Sequence, residues 1–177
     1  MLQLSACKAG DFLLEPIVRA DQPFVFKGLS DPAVIRFYGV SYDSLEATAE
    51  QMDFYENLVK EERGAAWKIV DGLNQLPVGV LAGYDYQPQH EKMEIGFWLL
   101  PEYQGKGILR KVLPVFLQQL QTLFNLHRLE ATVESENLAS CRLLEKAGFQ
   151  KEGLLRECEI KNGKRISLFV YSLLLAN

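Results

Sequence analysis

Cysteine is scarce in this chain: three residues in 177, Cys7, Cys141 and Cys158, none of them in a C-x-x-C pair. An odd, scattered set builds no disulfide framework, and a reducing cytoplasm is the expected compartment. Histidine is scarcer still. His90 and His127 lie far apart, which gives no metal-ligand spacing, so no metal is expected. Basic residues do not dominate either: 19 Lys and Arg stand against 23 Asp and Glu, for a net charge of −4. Without a basic stripe a nucleic-acid partner is excluded. No apolar run is long enough to span a bilayer, and the N-terminus lacks the basic-then-apolar pattern of a secretory leader, so no membrane role is expected. Internal repeats and low-complexity linkers are also missing, so residues 1–177 read as a single domain.

What the chain does have is apolar content, 48%, ample for a core. Residues 21–62 read as helical. Asp31-Pro32 is a helix start, and Ser44-Leu45-Glu46-Ala47 opens a longer helix with Leu45, Ala49, Met52, Tyr55 and Val59 at helical spacing. Strands are predicted at 65–70, 77–84 and 93–100, the last apolar on both faces as a central strand would be. Residues 85–92 read as a hairpin loop. A helix to about residue 124 follows, with Pro114 inside it as an expected kink. A strand at 128–133, a helix at 137–147 stopped by Gly148, and two strands around the Asn162-Gly163 turn complete the order. One helix joining two strands implies a parallel crossover, and the hairpins imply antiparallel flanks. The fold class is α/β (α+β): a mixed, mostly antiparallel sheet with helices on both faces.

Between the third strand and its helix lies PEYQGKGILRKVL, residues 101–113. A dinucleotide fingerprint would need a small residue where Arg110 stands, and a P-loop would need Ser or Thr after its lysine, where Gly107 stands. Both motifs fail. The physics of an anion cradle remains: Gly105 and Gly107 let backbone approach a ligand, and the first turn of the helix offers unpaired amides at the positive end of its dipole. Lys106 and Arg110 add charge. On this stretch alone, a diphosphate cradle and a strain-relieving turn fit equally well.

A second block breaks the tie. "MEIGFWLLPEYQGKGILRKVL" followed by "NLASCRLLEKAGFQKEGLLRE" resembles the GCN5-related N-acetyltransferases (GNAT), and more narrowly the ribosomal-protein N-terminal acetyltransferase branch. The likeness runs from about Val78 to Leu175. Gln104 and Gly107 match the family's [QR]-x-x-G-x-[GA] pattern, which Leu109 leaves at its last, small position. Asn137, Ser140, Glu145, Lys146, Gly148 and Phe149 match the second block. The resemblance implies acetyl-CoA as co-substrate, held between two splayed parallel strands, Glu94–Leu100 and Arg128–Val133. Backbone at Phe97, Trp98 and Leu99 would pair with the pantetheine arm. Amides of Gln104, Gly105, Lys106, Gly107, Ile108 and Leu109 would hold the pyrophosphate. Asn137 would bond the pantetheine arm or cap the next helix; the two roles are compatible.

The implied chemistry is direct attack of an amine on the thioester. An α-amino group titrates near ~8 and a lysine near ~10, so a base or water relay is needed. A backbone amide on the splayed strand can steady the oxyanion. Many family members place an acidic tyrosine in an L-Y-E-K run; here Leu144 holds that place. The narrower branch carries a serine at Ser140 instead, three residues from Asn137 and on the same side of the first helical turn. As base, the resemblance offers Glu94, at the head of the central strand, and Glu159, in "RECEI", with Glu157 expected on the same strand face; Glu159 is the leading candidate to face the acceptor. A lone glutamate is otherwise a surface charge. Phe24, Phe26, Phe37, Tyr38, Phe54 and Tyr55 are expected in the core, with one or two shaping an acceptor pocket. The acceptor is a primary amine, either a protein N-terminus or a small amine such as a polyamine. A non-catalytic acyl-CoA-binding module is the alternative from another class. Monomer and homodimer both fit.

Overall fold

The computed structural model describes residues 2–176. The chain opens with a feature the sequence did not announce, a short hairpin of β1 (Cys7–Ala9) and β2 (Phe12–Pro16) turning at Gly10. Strands this short carry too little alternation to be read in advance. Three helices follow: α1 (Gln22–Leu29), α2 (Pro32–Ile35) and α3 (Ala49–Lys60). The expected start of the last at Ser44 is corrected. Ser44 Oγ accepts from the Ala47 amide and Thr48 Oγ1 donates to the Ser44 carbonyl, which makes Ser44–Thr48 a closed turn, and Leu45 is left exposed.

β3 (Ala65–Asp71), β4 (Pro77–Gln87) and β5 (Lys92–Leu99) form an antiparallel meander. The hairpin loop expected over residues 85–92 is shorter than that. β4 runs on to Gln87, and a 3-10 turn, Pro88–His90, returns the chain. A long helix, α4 (Ile108–Leu123), leads into β6 (Arg128–Glu134) and then α5 (Leu138–Lys146). Pro114 sits on the exposed side of α4, which continues past it. β7 (Gln150–Lys161) and β8 (Lys164–Leu174) close the chain as a hairpin.

Among the described residues the eight strands make one sheet in the order β1-β2-β3-β4-β5-β6-β8-β7, with β5–β6 the parallel pair and the other neighbours antiparallel. Alternating side chains feed two cores. On one face Trp67, Ile69, Leu81, Met93, Ile95 and Leu129 pack against Val112, Phe116 and Leu120 of α4 and Leu144 of α5. On the other, Ala66, Val80, Ala82 and Trp98 meet Val25 and Leu29 of α1 and Met52, Tyr55 and Leu58 of α3. Contact there is close enough to need glycine: a Cβ on Gly28 of α1 would lie 2.2 Å from the Trp98 ring.

One feature positions the site. β5 and β6 pair only at Lys92–Arg128, Met93–Leu129 and Glu94–Glu130. Beyond that β5 stays with β4 as far as Leu99, and β6 stays with β8 as far as Glu134. Each arm is held by its outer neighbour, so the two part into a V in mid-sheet. Inward-facing amides and carbonyls of the parted arms lose their ladder partners, and buried backbone in that state calls for another partner.

Candidate active site

Two cavities meet in the V. The first, about 620 Å³, lies between the β5 arm and the starts of α4 and α5. Its walls include Phe97, Trp98, Leu99, Gln104, Gly105, Gly107, Ile108, Leu109, Asn137 and Ser140. All predicted cofactor-side residues are thus brought together except Lys106, whose ammonium lies 5.6 Å from the Tyr103 ring centre. Gly105 and Gly107 have φ of 72° and 75°, and a Cβ at either would meet nothing within 4 Å. They are glycines for their left-handed backbone, not for want of space. This conformation wraps residues 104–107 into the start of α4 with the helix amides free. Gln104 holds the wrap in place by donating Nε2 to the Leu99 carbonyl at 3.0 Å. Arg110, Arg142 and Lys146 add positive charge to the wall, of which Arg142 was not anticipated. Cations and the positive dipole end of a 16-residue helix converge here, an arrangement whose electrostatics suit an anion.

Asn137 and Ser140 border both cavities. Asn137 caps α5 by accepting from the Ser140 amide at 3.2 Å, and its Nδ2 donates to Ser140 Oγ at 2.9 Å. With a lone pair of its hydroxyl so engaged, Ser140 keeps its own proton to donate. Leu144, at the place of the family tyrosine, is fully buried in the core and offers no polar group.

The second cavity, about 500 Å³, opens on the other side of the V against α3 and the loop after α2. Its wall is aromatic, with Phe37, Tyr38, Tyr42, Phe54, Tyr55, Tyr84 and Phe97, and acidic, with Glu50, Glu134 and Glu159. Among the described residues no lysine or arginine lines it. Four of the N-terminal aromatics expected in the core therefore face this space. Phe24 instead packs on Trp98, ring centres 5.3 Å apart. Gly96 on β5 keeps the floor clear: a Cβ there would press on the Tyr84 ring at 3.3 Å and approach its hydroxyl at 3.5 Å.

Glu159 reaches this wall through a β-bulge. Between Leu155 and Glu159 the β7–β8 register slips, and Glu157 adopts a positive φ of 50°. The bulge breaks the two-residue alternation, so the shared face expected for Glu157 and Glu159 is corrected: only Glu159 lines the cavity, while Glu157 lies 3.7 Å from Arg165. The hairpin end is tied down by Lys161, which donates to the Arg36 carbonyl after α2 and pairs with Glu134.

Glu94, the other predicted base, is set one layer back. Its Oε1 accepts from Thr132 Oγ1 at 2.8 Å and from Tyr84 Oη at 3.2 Å. Burial pushes its pKa above the ordinary carboxylate range, and the two hydroxyl bonds oppose that only in part. A half-buried carboxylate with a raised pKa, held by two hydroxyls, has the basicity and placement that proton transfer requires. Tyr42, Tyr84, Thr132 and Glu50 went unnoticed in the sequence; none sits in a motif, and only the folded sheet collects them. Among the described residues no group of His, Cys, Asp and Glu gathers as a metal site, and no helix is long and apolar enough to cross a membrane.

Comparison with known proteins agrees with this geometry. Residues 11–150 match the family model described as acetyltransferase (GNAT) domain. The uncharacterized N-acetyltransferase YoaA of Bacillus subtilis is 31% identical over 162 residues, covering 91% of this chain and 92% of that protein. The spermidine N(1)-acetyltransferase of Escherichia coli (strain K12) is 26% identical over 152 residues, covering 85% and 79%. Among solved structures, the ribosomal L7/L12 α-N-protein acetyltransferase RimL in complex with coenzyme A superposes with a TM-score of 0.86 at 19% identity, covering 97% of this chain and 98% of that one. The Vibrio cholerae spermidine N-acetyltransferase in complex with CoA and spermine gives 0.82 at 23%, covering 93% and 95%. A V-shaped parting of two parallel strands, a glycine wrap at a helix start and a match over most of the chain have one common explanation: the protein belongs to the GNAT acetyltransferase family.

Proposed function

We infer that this enzyme transfers the acetyl group of acetyl-CoA directly to the primary amine of a cationic acceptor. The observation that carries the reading is the meeting of two unlike cavities at Phe97, Asn137 and Ser140. One is lined by cations and free helix amides, suited to a diphosphate; the other by aromatic faces and carboxylates, suited to an ammonium. In this reading the amides of residues 104–109 and the side chains of Arg110, Arg142 and Lys146 hold the CoA phosphates. The freed backbone of Phe97, Trp98 and Leu99 pairs with the pantetheine arm. Ser140 stands where the departing thiolate needs a proton. Glu94 takes the proton that the acceptor must lose, and Glu159, exposed at the rim, attracts the incoming cation.

For the acceptor, a protein N-terminal α-amino group is the first reading, following the branch resemblance. A polyamine is the second. Glu50 and Glu159 favour it, with Glu134 offset by its pairing to Lys161, since carboxylates around one cavity suit an acceptor with more than one positive charge.

The test has two stages. Thermal melts with acetyl-CoA, CoA or ATP come first; ligand at a hundred times its Kd raises stability by ~2.7 kcal/mol. A shift with both CoA species and none with ATP is expected. Thiol release from acetyl-CoA is then followed with spermidine and with peptides beginning in Ser or Ala. Binding of CoA without thiol release to any amine would leave a non-catalytic acyl-CoA-binding module and end the transferase reading.

A further inference from the structure

We propose that Thr132 is the relay through which the acceptor's proton reaches Glu94, with Tyr84 as the residue that positions the carboxylate; this rests on the amine-acetylation reading above. Glu94 is not on the wall of the acceptor cavity, but Thr132 and Tyr84 both are. Their hydroxyls converge on a single oxygen, Glu94 Oε1. The bonds link β4, β5 and β6 at the level where the last β5–β6 pair, Glu94–Glu130, is made and the arms begin to part. These two hydroxyls therefore bridge the cavity wall and Glu94, and each offers a proton a path between them.

Thr132 is the better conductor of the two. Its bond to Glu94 is the shorter, 2.8 Å against 3.2 Å, and its side chain is exposed while Tyr84 is half-buried. It also stands on the β6 arm, one residue from Val133 and two from Glu134, both on the cavity wall. In the step, an N–H bond of the acceptor ammonium breaks and its proton goes to the Thr132 oxygen. The Thr132 O–H proton passes at the same time to Glu94 Oε1. The amine gains its lone pair, Thr132 is unchanged, and Glu94 becomes a neutral carboxyl that later returns the proton to solvent. Tyr84 stays a donor throughout, since burial beside Glu94 drives its ionisation far up. The charged groups around Glu94 are Asp85 following Tyr84 on β4, Lys92 on its own strand and Glu130 on β6; Lys92 and Arg128 pair with Glu130.

One measurement needs no acceptor. The Glu94 carboxyl is titrated by 13C NMR in the wild type, Thr132→Val and Thr132→Ser. Loss of the hydroxyl removes a bond that favours the charged form, so the pKa rises by about half a unit or more in Thr132→Val and returns in Thr132→Ser. An unmoved pKa would overturn the proposal whatever the acceptor is. The second measurement is thiol release from acetyl-CoA with spermidine or a Ser-initiated peptide. Thr132→Val is expected to lower kcat about a hundredfold and to blunt the acid limb of the pH profile, with Thr132→Ser restoring most of both. Thr132→Val combined with Glu94→Gln should be no slower than Glu94→Gln alone. Losses that multiply in the double variant would show that Thr132 acts independently of Glu94, and the relay falls. If the wild type releases thiol with neither amine, the amine reading is what has failed, and the titration alone decides whether Thr132 and Glu94 are coupled.

Discussion

The two cavities of the V are built by opposite means. The larger is made of backbone: two left-handed glycines, the first turn of α4 and a strand arm without its neighbour. The smaller is made of side chains drawn from α3, β4, β5, β6, α5, β7, β8 and the loop after α2. A backbone site tolerates almost any side-chain change that keeps φ and ψ, and fails when they are lost. A side-chain site degrades residue by residue. The same architecture can thus keep one co-substrate while its acceptor changes.

The sharpest way to break the comparison is at Gly107. A β-branched residue at φ 75° is strained whatever the room around it. Gly107→Val should abolish the CoA-dependent rise in Tm while the apo protein loses only ~1–3 kcal/mol. By contrast Lys106→Ala, at a side chain turned toward Tyr103, should leave CoA affinity within about threefold, since an exposed charge contributes at most ~1 kcal/mol. A large loss in the second variant and none in the first would mean that the site is made of side chains after all.

Next in size is Glu94→Gln. Removing a positioned base should lower kcat by about 10²–10⁴ with CoA affinity unchanged. The pH profile carries the same information. Glu94 accepts a proton only when ionised, and its folded pKa is raised above the ordinary carboxylate value. Activity should therefore fall as pH drops through that raised pKa, earlier than an ordinary glutamate would require, and this acid limb should vanish in Glu94→Gln. Glu159→Gln, at the exposed rim, should raise the KM for spermidine several-fold and leave kcat alone.

This division also explains what the sequence could disclose. PEYQGKG and NLASCRLLEKAGF are contiguous, because a wrap and a helix cap are local structures with local rules; Gly107 and Asn137 could be placed before any coordinates existed. The V was implied by resemblance, but its cause is non-local. It depends on β8 inserting beside β6 and on β4 holding β5, and strand order is not written in any one strand. Thr132 and Tyr84 lie 48 positions apart in the chain and meet only at Glu94. Glu159 could be named but not aimed, because a bulge has no strong sequence signature and here it overrides simple alternation. Tyr55 is core as expected and also borders the cavity, while Tyr38 reaches it from the irregular stretch before α3.

The smallest expected effect is the most particular to the acceptor side. Lys161 is bonded to Glu134, a residue of the smaller cavity's wall, and to the Arg36 carbonyl. Lys161→Met keeps the apolar stem and removes the ammonium. The tie to the α2 end is lost, which should cost about 1 kcal/mol of stability. Glu134, however, is 12% exposed and loses its counter-ion, so its charge acts on the cavity unopposed. A unit charge several ångströms from an ammonium near a surface is worth about 1 kcal/mol or more. The KM for spermidine should therefore fall about fivefold at low salt, with the gain fading as ionic strength rises. CoA affinity, which the proposed function assigns to the other cavity with Arg110, Arg142 and Lys146 on its wall, should not move. A rise in KM would mean that the tether shapes the cavity more than its charge tunes it. A parallel loss of CoA affinity would mean that the two cavities are not the separable halves their construction implies.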